Sequence, residues 1–375
     1  MKKIFFIATV EFAVNAFLIN HLIALSKYFS ITVIVKTNDP FFLKNFDERI
    51  KVIPLNFDRK INIFNDLISL LKLTYIFFKE KPNAVHSITP KAGLITILAS
   101  CLTITPIRIH TFTGQVWKNK KGFIRFILRT FDFLIGRLTT FNIIDSQSQK
   151  EFLLSQGVIK NNNSIVFGSG SVAGVDLKKF KKSKIVKTRV RNTLSIPQDS
   201  FVFIFLGRLN YDKGVLDLAY AFSKIDNKDV FLIIVGPDED NLTNAIKKCC
   251  KNKINNLRII DHSSSPQEFL NASDVICLPS LREGFGSVLI EAASIGIPSI
   301  ASNIDGICDA VQQNKTGILY NHIEKDALLN SMVRLLDNPK LLKMLGLNAR
   351  DRVVKQFDSN ILTKYWIRFY LDLMQ

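Results

Sequence analysis

The sequence has few cysteines and none of the cysteine patterns that mark disulfide scaffolds or zinc sites. Its five cysteines are an odd number and form neither a C-x-x-C pair nor a cluster with histidine. We therefore expect reduced thiols, as in a cytoplasmic protein, and no structural zinc. The five positions are Cys101, Cys249, Cys250, Cys277 and Cys308.

Long apolar runs are also missing. A helix that crosses a bilayer needs about 20 predominantly apolar residues, and no window of the chain offers them without interruption. After Lys2 and Lys3, only about six mainly apolar residues precede Glu11, too few for the hydrophobic region of a signal peptide. We predict that this first run is a buried strand and that nothing in the chain spans a membrane.

Negative charge is scarce in the first half of the chain. Residues 1–185 carry 27 Lys and Arg against 11 Asp and Glu, whereas residues 186–375 carry 23 against 21. Such an excess suits nucleic acid, an anionic membrane surface or a substrate with a diphosphate, and a lysine-rich surface without a specific partner is the alternative. The chain has no RNP-like aromatic motif, helix-turn-helix or zinc finger, so we expect no nucleic-acid partner.

The length of 375 residues is too great for one compact core, so two domains are expected. Short β-branched runs alternate with amphipathic stretches, which is the α/β pattern of doubly wound parallel sheets. A basic stretch without periodicity, residues 178–191, predicts a linker. We predict Rossmann-like domains over residues 1–185 and 186–357, facing a cleft at the carboxyl ends of their sheets. A C-terminal helix over 358–375 is predicted to pack back on the first domain.

The predicted elements follow this alternation in both halves. The strands of the first half are predicted at residues 4–8, 31–35, 52–54, 84–86, 107–111, 141–144 and 165–167, and its helices at 13–28, 64–78, 92–102, 123–138 and 147–156. The strands of the second half are predicted at 201–206, 230–235, 258–260, 275–278 and 298–301, and its helices at 214–223, 242–252, 266–272 and 288–294. From residue 325 onwards the pattern is helical.

Residues 279–291 contain two glutamates, Glu283 and Glu291, eight positions apart. Glu283 lies in a turn with Gly284 and Gly286, and Glu291 lies about one turn into the helix predicted to follow. A glycine-rich turn that opens a helix presents unpaired N–H groups and the positive end of the helix dipole to a phosphate. A carboxylate one turn in can accept hydrogen bonds from two neighbouring hydroxyls, such as those of a ribose. The segment predicts a nucleotide-sugar pocket, with a surface turn of two solvated glutamates as the alternative.

Two cations follow the first predicted strand of the second half. The strand ends before Gly207, and Arg208 and Lys213 then stand five positions apart in the loop that opens the next helix. An arginine supplies a planar fork of donors and a lysine a point charge, a pair suited to a diphosphate. An ordinary loop with two exposed cations is the alternative, but a loop between a strand and a helix is a favourable place for a phosphate.

These motifs resemble, in order and spacing, those of family 4 glycosyltransferases with the GT-B fold. The matching stretches are residues 207–214, 274–280 and 283–292, and the pattern continues over 303–320. By this resemblance Arg208 and Lys213 hold the donor diphosphate, and Glu291 binds the ribose. Catalytic roles are implied for Arg208, Lys213 and Glu283. The donor-binding residues implied are Arg208, Lys213, His262, Glu283, Gly284, Phe285, Gly286, Ser287, Val288 and Glu291.

The reaction implied by the resemblance transfers a sugar from a nucleoside diphosphate with retention of anomeric configuration. Positive charge and backbone dipoles stabilise the leaving diphosphate, so neither a metal nor a cofactor is implied. By family habit the donor is expected to be a UDP-hexose or a UDP-N-acetylhexosamine. Asp238 and Asp240 form a D-x-D pattern that holds a metal-bound diphosphate in a different glycosyltransferase fold, but after Gly236 and Pro237 we predict a solvated acidic turn.

The first half resembles the family less closely. Residues 86–93 and 110–117 are similar to a subset that builds bacterial O-antigen or capsule by extending a sugar linked by diphosphate to a polyprenyl lipid. Thr113 stands where many relatives have a histidine, and the loop after the first strand lacks glycine. His110 is either a site residue or a packed structural residue. The acceptor side is assigned to Glu11, Asn15, Lys91, His110 and Thr113.

A Phe-rich helix over residues 123–137 carries Arg125 and Arg129 on one face. This composition is typical of an interfacial helix on an anionic membrane, or of a core helix whose arginines reach solvent. A lipid-linked acceptor in the inner leaflet would explain why only the first half is basic. We therefore expect a cytoplasmic protein, peripheral at the inner face of the cell membrane. The expected contact residues are Lys118, Lys120, Lys121, Arg125 and Arg129.

Three other functions remain open from the sequence. A UDP-sugar 2-epimerase would have the same overall shape. A nucleic-acid-binding protein would use the basic half. An enzyme that uses a nicotinamide cofactor is disfavoured, because the first strand is not followed by G-x-G-x-x-G.

Overall fold

The computed structural model describes residues 1–57 and 62–375, which form two α/β units. Unit 1 comprises Met1–Ala173 and Ser359–Gln375, and unit 2 comprises Gly174–Asp358. The chain therefore enters unit 2 earlier than the predicted boundary at residue 185.

The described residues contain thirteen strands and fifteen α-helices. The strands are β1 Lys3–Val10, β2 Ser30–Lys36, β3 Lys51–Pro54, β4 Ala84–Ile88, β5 Ile107–Phe112, β6 Phe141–Ile144, β7 Ser164–Ile165, β8 Phe201–Leu206, β9 Val230–Val235, β10 Leu257–Ile260, β11 Val275–Leu278, β12 Ser299–Ser302 and β13 Gly317–Tyr320. The helices are α1 Glu11–Phe17, α2 Ile19–Leu25, α3 Ile63–Glu80, α4 Pro90–Leu102, α5 Gly122–Leu138, α6 Gln147–Ser155, α7 Lys184–Thr193, α8 Val215–Ser223, α9 Thr243–Cys249, α10 Pro266–Asn271, α11 Ser287–Ile295, α12 Ile307–Ala310, α13 Ala327–Leu336, α14 Pro339–Gln356 and α15 Ser359–Leu373.

Unit 1 is built on a parallel sheet with the strand order β3-β2-β1-β4-β5-β6-β7. Successive side chains of a strand point to opposite faces, and β1 buries both of its faces. Ile4 and Phe6 pack with α2 and α15 on one face, while Phe5 and Ile7 pack with α3 and α4 on the other. The strand order reverses between β1 and β4, which is the position where open α/β sheets bind ligands at their carboxyl edge.

Helix α15 completes the core of unit 1 although it lies at the other end of the chain. Leu362, Trp366 and Tyr370 are fully buried there. The Trp366 ring stacks on the His21 ring with 4.6 Å between centroids, and the Tyr370 hydroxyl is hydrogen-bonded to Nδ1 of His86 at 2.6 Å. The last helix therefore belongs to unit 1.

Unit 2 is built on a second parallel sheet with the strand order β10-β9-β8-β11-β12-β13. Residues 202–205 of β8 are completely buried because helices cover both faces of the sheet. The order reverses between β8 and β11, so the carboxyl ends of these two strands are the expected ligand-binding position of this unit.

The predicted linker over residues 178–191 is wrong, since much of it is helix α7 inside unit 2. The Ser183 hydroxyl caps α7 by accepting from the Val186 N–H. Arg191 is fully buried, and its guanidinium donates to the Asp274 carboxylate at 2.9 Å and to the carbonyl oxygens of Ala272 and Ser200. Arg191, which lies at the end of the predicted linker, is thus a core residue that fixes α7.

The chain joins unit 2 well before α7. The Val175 N–H donates to the Phe357 carbonyl oxygen at 2.7 Å. Phe180 is buried in the core, and its carbonyl oxygen accepts from the Ser294 hydroxyl at 2.9 Å. These contacts place the division between Ala173 and Gly174 rather than at residue 185.

Candidate functional site

The loops after β8 and β11 lie against each other at the point where the strand order of unit 2 reverses. Gly214 has a φ of +64°, and a Cβ at this position would stand 2.1 Å from the Pro279 carbonyl oxygen. The Leu281 N–H donates to the Asp212 carbonyl oxygen at 2.8 Å. A glycine is required where the backbones approach so closely. Two motifs that lie about 70 residues apart in the sequence thus form one surface.

An ion pair joins the two loops through Lys213 and Glu283. The ammonium group contacts Oε1 of Glu283, which also accepts a hydrogen bond from the Ser280 hydroxyl at 2.9 Å. The Lys213 and Glu283 side chains are only 17% and 13% exposed, so solvent screens the pair weakly. Lys213, which is predicted to bind the diphosphate, is therefore paired here with Glu283, which is predicted to contact the sugar.

Arg208 is paired with a glutamate that sequence reading left in solvent. Its Nη1 donates to Glu239 at 2.8 Å, and the Asn210 amide donates to the same carboxylate at 3.1 Å. The side chains of Arg208 and Glu239 are 49% and 30% exposed, so the pair is open to water. Such exposed pairs contribute at most about 1 kcal/mol, and an anion can displace this one readily.

The acidic triplet over residues 238–240 is exposed at Glu239 and Asp240, as predicted for a solvated turn, but its carboxylates also bind protein groups. Asp238 accepts from the N–H groups of Leu242 and Thr243, at 2.7 and 2.9 Å. Burial raises the pKa of Asp238, but these hydrogen bonds outweigh it and leave the pKa below its ordinary value. Asp240 accepts from the Tyr211 N–H at 3.0 Å. Each carboxylate thus has its own protein partner, and together they brace the loop that carries Arg208.

Helix α11 begins at this surface through a left-handed glycine. Gly286 precedes the helix with a φ of +76°, a backbone conformation that costs other residues about 1 kcal/mol or more. Phe285 is buried with its ring on the Phe357 ring, 5.4 Å between centroids, so it offers its backbone rather than its side chain to a ligand. Ser287 and Val288 occupy the first turn, where N–H groups lie beyond the reach of intrahelical acceptors. These N–H groups are able to donate to an anion.

The turn at Glu283 and Gly284 is supported from behind by the loop after β12. Gly306 has a φ of +88°, and a Cβ there would stand 2.4 Å from the Gly284 carbonyl oxygen. The loop can approach this closely only because residue 306 is a glycine. Gly306 therefore determines how closely the loop after β12 packs against the turn that carries Glu283.

Glu291 lies on α11 and is half-buried, and its carboxylate accepts no hydrogen bond from any residue that the structure describes. Burial raises its pKa to about 7, and the positive charge of Lys179 opposes this shift. A carboxyl group with free acceptor capacity and a pKa near neutrality is suited to a neutral donor such as a vicinal diol. His262 lies exposed in the segment after β10, two strands from β8 in the sheet.

Several residues of this surface were not assigned from the sequence. Ser280, Glu239 and Asn210 bind assigned residues, as described above. Arg282 donates to Asp212 at 3.1 Å through Nη2, while its buried Nε has no partner among the described residues. The buried Oδ1 of Asn210 also lacks one. Ser280, Asn210 and Arg282 could have been found from their position inside the two motif loops, whereas Glu239 lies in the loop after β9.

The assigned acceptor residues of unit 1 surround the ends of β1 and β4. Glu11 is half-buried and Asn15 is exposed on α1, which follows β1 directly. Lys91, in the first turn of α4, forms an ion pair with Asp66 of α3 at 2.7 Å. The hydroxyl groups of Thr9 and Thr89 are hydrogen-bonded to each other and tie the two strand ends together. These residues share the carboxyl edge of the sheet.

His110 is a packed residue in this structure. It is 1% exposed, its Nδ1 is hydrogen-bonded to the Ser87 hydroxyl at 2.8 Å, and its ring stands edge-on to the Phe112 ring. Burial lowers its pKa to about 3, although the contact with Ser87 opposes this. Of the two roles that the sequence left open for His110, site residue or packed structural residue, the structure shows the packed one. Thr113, just beyond the end of β5, is half-buried at the sheet edge.

The loop after β5 contains a buried amide that sequence reading did not single out. Gln115 is 1% exposed, and neither Nε2 nor Oε1 has a hydrogen-bond partner among the described residues. Its neighbour Trp117 donates its indole N–H to Asp132 at 2.7 Å. Burial raises the pKa of Asp132 to about 7, and this hydrogen bond opposes it.

Helix α5 is largely exposed to solvent, but some of its side chains contact the rest of unit 1. Phe123 and Phe126 are 74% and 64% exposed, and only Asp132, Ile135 and Gly136 are buried. Arg125 and Arg129 are held against unit 1: Arg125 lies over the Trp117 ring, and Arg129 donates to the Gln156 carbonyl oxygen at 2.6 Å. Lys118 lies over the Phe152 ring, while Lys120 and Lys121 are exposed. Among the described helices none is both long and apolar enough to cross a membrane.

Comparison with protein families and known proteins identifies relatives of this chain. A family model described as glycosyl transferases group 1 matches residues 186–352. The chain is 33% identical over 366 residues to the capsular polysaccharide biosynthesis glycosyltransferase CapM of Staphylococcus aureus, with 96% of this chain and 94% of that protein covered. It is 30% identical to the UDP-Gal:alpha-D-GlcNAc-diphosphoundecaprenol alpha-1,3-galactosyltransferase of Escherichia coli, with 80% and 78% covered.

A solved structure with the same architecture is that of Anabaena HepE in complex with UDP. It superposes with a TM-score of 0.80 at 18% sequence identity and covers 99% of this chain and 100% of that chain. Together with the two parallel sheets, this similarity confirms the predicted fold class, two Rossmann-like α/β domains of the GT-B fold.

Proposed function

This chain belongs to the group 1 glycosyl transferases and is a surface-polysaccharide glycosyltransferase, and we propose that it moves a sugar from a UDP-sugar to a lipid-linked acceptor with retention of anomeric configuration. The donor is a UDP-hexose or a UDP-N-acetylhexosamine. The acceptor is a sugar joined by diphosphate to a polyprenyl lipid, in O-antigen or capsule biosynthesis. The Escherichia coli relative, whose name specifies UDP-Gal and a diphosphoundecaprenol-linked sugar, supports both substrate classes.

The observation that carries this proposal is the meeting of two cations, two glutamates and a helix N-terminus where the strand order of unit 2 reverses. Arg208 and Lys213 follow β8, Glu283 follows β11, and α11 starts four residues later. A diphosphate needs positive charge and N–H donors, and a nucleoside needs an acceptor for its ribose hydroxyls. Unit 2 offers all of them within two adjoining loops and one helix.

The donor diphosphate competes with Glu283 and Glu239 for the two cations. When it binds, Lys213 turns from Glu283 to the diphosphate, and the exposed Arg208 leaves Glu239. Glu283, still hydrogen-bonded to Ser280, then accepts a hydrogen bond from a sugar hydroxyl. Glu291 accepts from the ribose hydroxyls.

In the transition state the bond between the sugar and the diphosphate breaks while an acceptor hydroxyl bonds to the anomeric carbon, and negative charge grows on the leaving oxygen. The proton of that hydroxyl passes to the departing diphosphate. Arg208, Lys213 and the first-turn N–H groups of α11 stabilise that charge. These groups perform the neutralisation for which many other transferases use Mg²⁺, so we propose a reaction without a metal ion.

The acceptor is proposed to bind unit 1 at the carboxyl edge of its sheet. Lys91 and the cluster of Lys118, Lys120 and Lys121 supply positive charge for its diphosphate. The same basic half, with Arg125 and Arg129, holds the protein peripherally at the inner face of the membrane. Coulomb attraction to anionic lipid supports this location, at about 1 kcal/mol for each cation near the surface.

Calorimetric titration of the wild type and of Glu291→Ala with UDP, with NAD as a parallel ligand, tests the donor site. We expect the wild type to bind UDP and not NAD, and Glu291→Ala to bind UDP more weakly. Binding of NAD, or equal UDP affinity in both proteins, would contradict the assignment. Incubation of the wild type with a UDP-sugar and no acceptor tests the epimerase alternative, because inversion at C2 of the free UDP-sugar would reveal it.

A further inference from the structure

Helix α3 carries a row of large apolar side chains that face solvent. The five side chains are between 52% and 73% exposed, although each would be expected in a core. They are Phe64, Leu67, Leu71, Tyr75 and Phe78, and we call them the α3 stripe.

The stripe lies on the side of α3 that faces away from the sheet. Successive members are three or four residues apart, so they fall on one face of the helix over a length of about 21 Å. The opposite face of the same helix buries Leu73 and Phe77 in the core of unit 1, where the Phe77 ring meets the Phe5 ring. The core of unit 1 is therefore complete without the stripe.

The α3 stripe lies in the same helical layer as α5. Helix α4 packs against α3 on one side and α5 on the other. Its Ile95 belongs to the apolar cluster that contains α3, and its Ile97 belongs to the cluster that contains α5. Since α3 and α5 flank one helix on one face of the sheet, the stripe and the exposed Phe123 and Phe126 belong to one side of unit 1.

Positive charges beside the α3 stripe indicate which kind of partner it binds. Lys72 and Lys79 are exposed on α3, and Lys120 and Lys121 are exposed just before α5. A second copy of this chain would bring the same positive charges against each other. An anionic lipid surface attracts them, and its acyl boundary accepts the apolar side chains.

We propose that the α3 stripe inserts into the interfacial region of an anionic bilayer, so that unit 1 is seated on the membrane by α3 as well as α5. Two separated helices would fix the orientation of unit 1 on the bilayer, which a single basic helix does not. The proposal deepens the membrane location of the proposed function, and it is independent of which sugar is transferred.

Insertion is tested with a fluorescent reporter in the stripe. Both native tryptophans, Trp117 and Trp366, are buried. We expect the emission of Leu71→Trp to shift to the blue with vesicles of phosphatidylcholine and phosphatidylglycerol, and brominated lipid to quench it. Leu347→Trp is the matched control, because Leu71 and Leu347 are 63% and 62% exposed and Leu347 lies on α14 of unit 2.

Flotation with the same vesicles tests how much the stripe contributes. We expect the triple variant Leu67→Gln, Leu71→Gln, Phe78→Gln to bind at least about tenfold more weakly than the wild type, a loss of about 1.4 kcal/mol or more. Leu347→Gln should bind as the wild type does. Thermal unfolding by circular dichroism checks that each variant is folded, and the reporter Leu71→Trp tests insertion without removing the stripe.

Two outcomes would overturn the proposal. In the first, Leu71→Trp floats with the vesicles but its emission is neither shifted nor quenched. In the second, light scattering without lipid shows a dimer that the triple variant lacks, which would assign the stripe to a second copy. UDP titration of the wild type is a separate measurement. A failure to bind UDP would therefore contradict the proposed donor site but not the lipid binding, and a failure to bind lipid would leave the donor site unaffected.

Discussion

Lys213 and Glu283 form an ion pair between the loops that follow β8 and β11, the two strands at which the order of the unit 2 sheet reverses. The pair is largely shielded from water, and the Ser280 hydroxyl shares the carboxylate. The half-buried cation is thus compensated by a group that has its own part in the proposed reaction. Removing either member leaves a half-buried charge alone, which is costly.

Substitution of this pair should affect stability and turnover together. We expect Lys213→Met and Glu283→Gln each to lower the free energy of unfolding by about 1–3 kcal/mol, and the double variant to lose less than their sum by at least about 0.5 kcal/mol. Urea unfolding measures this cycle. The exposed pair Asp351–Lys355 on α14 is the control, with an expected coupling of about 0.5 kcal/mol or less. Each single variant should also lose at least about tenfold in the rate of sugar transfer.

The raised pKa of Glu291 predicts that donor binding depends on pH. The carboxylate must be ionised to accept two hydrogen bonds from the ribose, and burial raises its pKa to about 7. We expect the affinity for UDP-glucose, measured by calorimetry, to fall by up to about tenfold per pH unit below 7 and to be constant above it. The diphosphate of this ligand does not titrate in that range. A Glu291→Gln variant that kept the same pH profile would contradict the assignment.

The same shift predicts the sign of a stability effect. The ordinary pKa of 4.5 applies to the unfolded chain and the value of about 7 to the folded one, so the contribution of the neutral carboxyl is full below pH 4.5 and is lost as the pH rises to about 7. Gln resembles the neutral form at every pH. We therefore expect Glu291→Gln to match the wild type near pH 4.5 and to exceed its free energy of unfolding by about 1–3 kcal/mol at pH 8. Urea titrations at both values measure the difference.

The ion pair between Arg208 and Glu239 should slightly weaken the binding of the donor. Replacing Glu239 by Gln removes a competitor for the guanidinium and a negative charge near the diphosphate. We expect UDP to bind up to about fivefold more tightly to Glu239→Gln, since exposed pairs contribute at most about 1 kcal/mol. Arg208→Ala should instead lower turnover by at least about tenfold. Tighter UDP binding by Arg208→Ala would reverse the roles assigned to this pair.

Replacing Gln115 by an apolar residue should stabilise the protein. Both polar atoms of its buried amide lack partners among the described residues, which is unfavourable by about 1–3 kcal/mol. We expect Gln115→Leu to raise the free energy of unfolding by about 1 kcal/mol. Asn142→Leu is the matched control, because Asn142 is equally buried but bonded to Thr139 and Gly136, and it should destabilise unit 1. A loss of stability in Gln115→Leu would contradict this reading of the amide.

The central strands of unit 2 could be predicted from the sequence with little error. The observed bounds of β8, β9 and β11 coincide with the predicted residues 201–206, 230–235 and 275–278. Each is a short, continuous apolar run between polar turn residues, because both of its faces are buried. The helix predicted over residues 13–28 is divided at Leu18 into α1 and α2, a change of direction that its apolar spacing does not signal.

What escaped prediction depends on partners that are distant in the sequence. Arg191 is buried because residues up to 83 positions away accept its hydrogen bonds, so a basic stretch that looks unpatterned forms α7. Glu239 belongs to the proposed donor site only because Arg208, 31 positions earlier, contacts it across the sheet edge. Arg208, Lys213, Glu283 and Glu291 could be assigned because each stands at a fixed offset from a strand end or a glycine turn.

The place of α15 in unit 1 has a consequence for the order in which the protein matures on the ribosome. The sheet of unit 1 is complete when residue 173 has been synthesised, but Leu362, Trp366 and Tyr370 follow only after the 185 residues from Gly174 to Asp358. At an elongation rate of about 5–20 residues per second this delay is roughly 10–40 s. During that time the apolar side chains that α15 will cover remain in water, so nascent unit 1 is a predicted client of chaperones. A chain truncated before Ser359 would keep every strand of both sheets and still leave unit 1 unfinished.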